Sequence, residues 1–490
     1  MNAPRLPQRL SGVDAAFLYL ERKEIPLHIA AVCTFEGEIP FAEFVRVIDS
    51  KLHLLPRYRQ VVTDPPFHLA YPVWEDDPDF DIRRHIFHRH LKPPGGQAEL
   101  ETMASGILSQ VMDRSKPLWD IHVIDGLEGG QGAALVRIHH SLADGVAGAS
   151  IMKIILDTEP GASRAPRKPR YRPNRRPETE FSIADALAGA VQSSLASMIS
   201  AETVLLDFSR ALTEDRTKDA FQKLIGLVPE LAASSERFVF NKPCSGERKF
   251  CWTEFPFAGV QAIREAAGGT LNDVVLSILA RAVARYVQAH GEPVRGRFLR
   301  VMCPVNIRQD AGESLGNRIT FLPVALPLGI ESPIRTLRAV AARTETMKNA
   351  RAAHLIALLS NWLGAAPPPI QALFWKSIPE IPLPVPLFHM ICTNVPGSPT
   401  PLYAVGRRMI ASYPHVPTGY ELGVNVAVQS YDGRLFCGFT ADAKVVPDAG
   451  RLRDFMRASF EEMVRAATRK ARPPAREKTP QLAVGATAGM

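Results

Sequence analysis

The chain has 490 residues, 46% hydrophobic and 22% charged, with a formal net charge of +8 and a pI near 9.2. That length holds two or three domains around a large core, and that balance excludes a disordered chain. The six cysteines (Cys33, Cys244, Cys251, Cys303, Cys392 and Cys437) share no CxxC spacing, which speaks against a zinc site and fits free thiols in a reducing compartment.

The segment Met1 to Phe17 lacks an apolar run of signal-peptide length. No apolar stretch approaches ~18 residues, so the expectation is no transmembrane helix and a cytoplasmic chain. Phe41 to Leu55 carries apolar residues at helical spacing: Phe41, Phe44, Val45, Ile48 and Leu52. Trp119 to Ile124 and Ala133 to Ile138 read as strands joined by a turn around Gly126, Gly129 and Gly130. The second strand runs into His139-His140-Ser141-Leu142-Ala143-Asp144-Gly145, and Gly145 to Leu156 reads as a helix. Glu159 to Thr179 holds five prolines and seven Lys or Arg residues, which makes it a solvated linker or a binder of anionic lipid. Beyond it, Phe181 to Leu212, Leu271 to Ala289, Pro333 to Lys348 and Asp448 to Ala467 read as helices. Strands are expected near Phe298 to Val305, Thr320 to Leu326, Phe388 to Thr393, Gly423 to Ser430 and Leu435 to Thr440. The chain therefore divides into an α/β (α+β) lobe over 1–158, a linker over 159–179, a second lobe over 180–467 and a disordered tail over 468–490.

The histidine pair carries the chemistry. An imidazole at a strand end can take a proton from a hydroxyl and return it to a leaving group near neutral pH. Side chains alternate faces along a strand, so Ala134, Val136, Ile138 and His140 share one face while Leu135, Arg137 and His139 share the other. One histidine acts on substrate and the other supports the fold. His140, nearer the turn, is assigned the general base. For His139 a structural role stands beside a catalytic one. Asp144 either pairs with His140 or caps the following helix, the commoner use of Asp, and Gly145 allows a tight turn. No GxSxG elbow and no cysteine in the motif supply a nucleophile, so direct transfer is favoured over a covalent intermediate. Neither a GxxxxGK[ST] loop nor a GxGxxG after a strand is present.

His139 to Gly145 resembles the HHxxxDG signature of the chloramphenicol-acetyltransferase-like acyltransferase superfamily. Leu10-Ser11-Gly12-Val13-Asp14-Ala15-Ala16-Phe17-Leu18, Pro117-Leu118-Trp119 and Asn272-Asp273-Val274-Val275 resemble the opening, PLW and ND motifs of bacterial wax ester synthase/diacylglycerol acyltransferases. Gly316-Asn317-Arg318, Thr393-Asn394-Val395-Pro396-Gly397 and Ser430-Tyr431-Asp432-Gly433-Arg434-Leu435 resemble segments of that family's C-terminal domain. Tyr413 to Gly423 departs from it by lacking an Asp-Gly-x-Gly run, and Ser398 stands where the family usually has Pro. The resemblance implies two lobes, each a mixed sheet flanked by helices, with a substrate tunnel between them. It implies acyl-CoA as co-substrate, no cofactor or metal, and a long-chain alcohol or diacylglycerol as acceptor. It further implies peripheral association with the inner face of the membrane or with lipid inclusions, and no nucleic acid as partner. The basic charge fits coenzyme A and an anionic surface. Trp119, Asn272 and Asp273 are then candidate substrate-binding residues. Each also has a plain structural use: Trp119 as a core residue at a strand start, Asn272 and Asp273 as helix caps. Two other classes stay open, a condensation-type enzyme using a carrier-protein thioester and a non-catalytic lipid-binding homologue.

Overall fold

In a computed structural model, which describes residues 8–142, 152, 155–161, 236–306, 319–349, 366–381 and 386–471, fifteen strands, the seven expected ones among them, assemble into two six-stranded sheets and a small three-stranded one. The first half contributes β1 (Gln8–Arg9), α1 (Gly12–Leu20), β2 (His28–Phe35), α2 (Phe41–Lys51), β3 (Gln60–Thr63), β4 (Val73–Asp76), β5 (Ile86–His90), α3 (Gln97–Leu108), β6 (Trp119–Asp125) and β7 (Gly132–His139). The second half contributes β8 (Arg248–Pro256), α4 (Phe257–Ala267), α5 (Leu271–Ala289), β9 (Phe298–Asn306), β10 (Ile319–Pro327), α6 (Pro333–Asn349) and α7 (Pro368–Ser377). It closes with β11 (Met390–Pro396), β12 (Tyr403–Ala404), β13 (Arg407–His415), β14 (Val424–Tyr431), β15 (Arg434–Asp442) and α8 (Ala449–Ala471).

The first large sheet runs β12-β13-β2-β7-β6-β5. β7 lies antiparallel between β2 and β6, with His28 opposite His139 and Trp119 opposite Ile138. Every residue of β7 is buried, because both faces of this sheet are covered. Ala134, Val136 and Ile138 pack with Leu18 of α1 and with Phe44 and Ile48 of α2. Ala133 and Leu135, on the opposite face, join Val32 against Leu100, Ala104 and Leu108 of α3 and against Phe250 and Trp252 of β8. The alternation read along this strand is thus the partition between two cores.

The second large sheet, β10-β9-β11-β14-β15-β8, buries one face under α4, α5 and α8. α5 occupies the expected range, because Thr270 caps it and an almost unbroken apolar run from Val274 to Val283 fills the core. The β14–β15 hairpin turns through Asp432 and Gly433, both at positive φ, the conformation a tight two-residue turn requires.

One strand from the second half of the chain joins the first sheet. β13, from the late part of the chain, is antiparallel to β2 in the first sheet, and β12 extends that edge. The first sheet is therefore not confined to residues 1–158. The reason is physical: without β13, β2 presents an unpaired edge, and a strand from the other lobe satisfies it. Gly438 on β15 makes the crossing possible, since a Cβ there would sit 1.9 Å from the Pro414 carbonyl oxygen. The strand expected over Phe388 to Thr393 begins two residues later, at Met390, and the last helix extends to Ala471. The expected helices Gly145 to Leu156 and Phe181 to Leu212, most of the linker, Gly316-Asn317-Arg318 and the tail beyond Ala471 lie wholly or mostly outside the described residues. Among the described residues no single helix is long and apolar enough to cross a membrane.

Candidate active site at the end of β7

The strand ends at His139, and His140–Leu142 continue as a single 3-10 turn. This turn rotates the chain, so the two imidazoles diverge. The His140 N–H donates to the Leu27 carbonyl at 2.9 Å, which fixes the backbone at the turn. Its ring stacks on Phe17 of α1, with centroids 3.8 Å apart and planes 15° from parallel. Burial and the neighbouring His139 push the His140 imidazole down to about 4, against a hydrogen bond to its own carbonyl that favours protonation. The residue still keeps partial solvent access.

His139 is fully buried on the opposite face. Its Nδ1 accepts the Ser141 N–H at 3.1 Å and lies 2.7 Å from Ser141 Oγ, which places the ring proton on Nε2. That nitrogen stands 3.3 Å from Glu21 Oε1, too oblique for a straight hydrogen bond. Glu21 is a site residue the sequence reading missed. Its side chain is fully buried, with Oε1 accepting the Leu27 N–H at 3.1 Å and Oε2 accepting from Arg114 at 3.1 Å. Burial would raise its carboxyl, yet His139, the Leu27 N–H and Arg114 together hold it below the usual carboxylate range. Glu21 and His140 thus meet on one residue, Leu27, whose N–H serves the first and whose carbonyl serves the second. Only the chain order, a helix-end Glu seven residues before a strand, was visible beforehand.

The remaining candidates separate. Asp144 and Gly145 lie outside the described residues. Trp119 is 1% exposed, donates its Nε1–H to the Tyr58 carbonyl at 2.8 Å and stacks on His85 at 4.6 Å. It sits inside the first lobe's core, the plainer of its two expected uses. Asp273 is buried in the capping box of α5, where Oδ2 accepts from the Thr270 N–H and hydroxyl and Oδ1 from the Thr344 hydroxyl at 2.6 Å. The cap residue is Thr270, not Asn272, and Asp273 acts from the third helical position to tie α5 to α6. Asn272 is half-buried on the first turn of α5. Beside the histidines, Arg137 holds Asp120 through two hydrogen bonds, at 3.0 and 2.5 Å, and reaches the carbonyls of Ile107 and Gln110 at the end of α3. His122, 3.3 Å away, and that pairing together hold the Asp120 carboxyl at about 2 despite its burial.

These shifts fix a pH dependence. A base must be unprotonated, and His140 stays so down to about pH 4, so the acid limb of kcat/KM should fall well below 6.5. Stability should fail first. His28, His389 and His415, like His140, are pushed down by burial, the last three to values between about 3 and 4. Below pH 6.5 the unfolded chain therefore binds protons that the folded chain does not. Stability is full above that pH and falls as pH drops towards 4, by up to about 1.4 kcal/mol per pH unit for each histidine. A melting temperature equal at pH 7.5 and pH 5 would contradict this account.

Residues 10–275 match the wax ester synthase/diacylglycerol acyltransferase catalytic domain, and residues 315–464 match the WS/DGAT C-terminal domain. The probable diacylglycerol O-acyltransferase tgs1 of Mycobacterium tuberculosis is 30% identical, over 90% of this chain and 93% of that protein. A putative diacylglycerol O-acyltransferase of the same species, MT1809, is 27% identical over 93% and 90%. Among solved structures, the wax ester synthase/diacylglycerol acyltransferase of Marinobacter aquaeolei VT8 superposes with a TM-score of 0.64 at 23% identity, covering 94% of this chain and all of that one. The first condensation domain of the calcium-dependent antibiotic synthetase follows with 0.59 at 13% identity, over 96% and 98% of the two chains. These last two likenesses carry the two-lobed fold.

Proposed function

The chain belongs to the wax ester synthase/diacylglycerol acyltransferase family and is an O-acyltransferase, and from that premise we propose that it moves the acyl group of an acyl-CoA to diacylglycerol or a long-chain alcohol, with His140 as general base. The observation that carries the proposal is the placement of the His140 ring, at the end of β7 in a turn held by the Leu27 carbonyl and stacked on Phe17. Only Nδ1 can reach the residue's own carbonyl, so in the neutral ring that burial favours the proton sits on Nδ1 and Nε2 carries the lone pair. Stacking on Phe17 holds that ring in one orientation.

In the proposed step, Nε2 takes the hydroxyl proton as the acceptor oxygen attacks the thioester carbonyl. The C–S bond then breaks, the imidazolium returns its proton to the departing thiolate, and free coenzyme A and an ester leave. The protein gains by holding both reactants at one base, which replaces a bimolecular encounter with an oriented one and keeps water from competing. The ring carries positive charge only transiently, and the buried Glu21 carboxylate beside His139 is a fixed negative group in that network. The acceptors proposed are lipids, so the protein should work at a membrane or lipid-inclusion surface.

The test is purified protein with labelled palmitoyl-CoA and either dioleoylglycerol or 1-hexadecanol, with products separated by lipid class. Triacylglycerol or wax ester is expected. Turnover that appears only with a phosphopantetheinyl carrier protein would move the chain to condensation-type chemistry, and label recovered only as free fatty acid would contradict the proposal.

A further inference from the structure

We infer that the outward face of α7, with the Phe67 ring beside it, is the surface by which the protein inserts into a phospholipid bilayer to meet its acceptor, an inference that rests on the acyl transfer proposed above. A surface helix ordinarily turns its apolar stripe inward. α7 carries apolar side chains on both sides. Ala372 joins the core of the first sheet and Gln371 is buried, whereas Ile370, Leu373 and Phe374, spaced along one helix face, are all exposed, Leu373 by 69%.

Neighbouring segments enlarge that face. Phe67, in the 3-10 turn Pro66–His68, is 86% exposed, and its φ of 56° lies in the left-handed region that suits Gly or Asn. A ring that gains nothing from burial and strains its own backbone calls for a partner outside the chain. Lys376 Nζ, 2.7 Å from His68 Nε2, ties this turn to α7. Exposed Ile381 follows α7 across the turn Ile378–Glu380. Exposed Val13 follows Gly12, which packs so closely on α7 that a Cβ there would sit 3.1 Å from Gln371 Oε1. These are six of the ten large apolar side chains exposed among the described residues, so they form a patch rather than a scatter.

Charge and position choose the occupant. Arg22 is matched by Glu380 at 3.3 Å, and Lys376 and Asp64 act on His68 in opposite senses, so the charges around the patch balance. A neutral apolar face complements a zwitterionic bilayer, held by burial in the acyl chains rather than by attraction to anionic headgroups. The patch also adjoins the base. α1 runs from Val13 to Phe17, on whose ring His140 stacks, and four residues of helix rise only about 6 Å. A bilayer against this face therefore brings a dissolved lipid acceptor close to the group that must take its proton.

The experiment is flotation of the full chain with phosphatidylcholine vesicles, with and without phosphatidylglycerol and at low and high salt. It compares wild type, Phe67→Asn and the double variant Leu373→Ser/Phe374→Ser, beside melting temperature, molar mass in solution and ester formation from palmitoyl-CoA and vesicle-borne dioleoylglycerol. Wild type should float, and each variant should partition about tenfold less, the loss expected when inserted apolar side chains are removed. Ester formation should fall with binding. Melting temperatures should hold, because the substituted side chains are exposed, and Phe67→Asn should match or exceed wild type. Phosphatidylglycerol and salt should change binding by less than about twofold. A wild type that does not float, variants that float as well as wild type, or binding that requires phosphatidylglycerol overturns the inference. So does a wild type that is dimeric where the variants are monomeric, which assigns the face to a second copy. If the double variant does not fold, Phe67→Asn decides alone: weaker flotation supports the inference and unchanged flotation overturns it. Flotation lost in the variants of a wild type that forms no ester supports the surface and overturns the acyl-transfer reading.

Discussion

His140→Ala should lower kcat for ester formation by about 10²–10⁴-fold, the range over which a positioned base assists proton transfer. The KM for acyl-CoA should change little, because the imidazole acts on the proton of the other substrate. The fold should survive. The backbone N–H of residue 140 keeps its bond to Leu27, and the loss is one ring stack on Phe17, worth about 0.5–1.5 kcal/mol. Against a typical stability of about 5–15 kcal/mol that is tolerable. The measurement is single-turnover ester formation beside a thermal melt. A variant that melts like wild type and retains a tenth or more of its rate would remove His140 from the chemistry.

The face assignment that led to this residue was legible because β7 is covered on both sides. Ala134, Val136 and Ile138 enter one core and Leu135 the other, as alternation requires. What alternation alone does not contain is the turn beginning at His140, which swings its ring onto Phe17. α5 was equally legible, since a long apolar helix needs only its own residues and a cap. β13 was not, because its partner β2 lies more than 370 positions earlier and strand pairing over that distance leaves no local signal. The same holds for the site. The histidines announce themselves as a motif, whereas Glu21 reaches it through burial and its bonds to Leu27 and Arg114, an ordinary residue in its own stretch of sequence.

Glu21→Ala should damage both stability and rate, and comparison with Glu21→Gln should say why. The carboxylate is fully buried between Arg114, the Leu27 N–H and His139. Leaving a buried donor without its acceptor costs about 1–3 kcal/mol, whereas the Arg114 side chain, 38% exposed, can turn to water. Here the Leu27 N–H loses its acceptor, and Leu27 is the residue whose carbonyl fixes the His140 backbone. A base displaced by about 1 Å can lose about 10²-fold in rate, so kcat should fall alongside the melting temperature. Glu21→Gln keeps an oxygen for the Leu27 N–H while removing the charge that faces His139 and Arg114. If positioning of His140 is the main function of Glu21, Gln should restore most of kcat while leaving the melting temperature below wild type. If the negative charge itself supports the transient imidazolium, Gln should recover stability more than rate. Wild-type kcat and melting temperature in Glu21→Ala would show that the network around Leu27 does not hold the base.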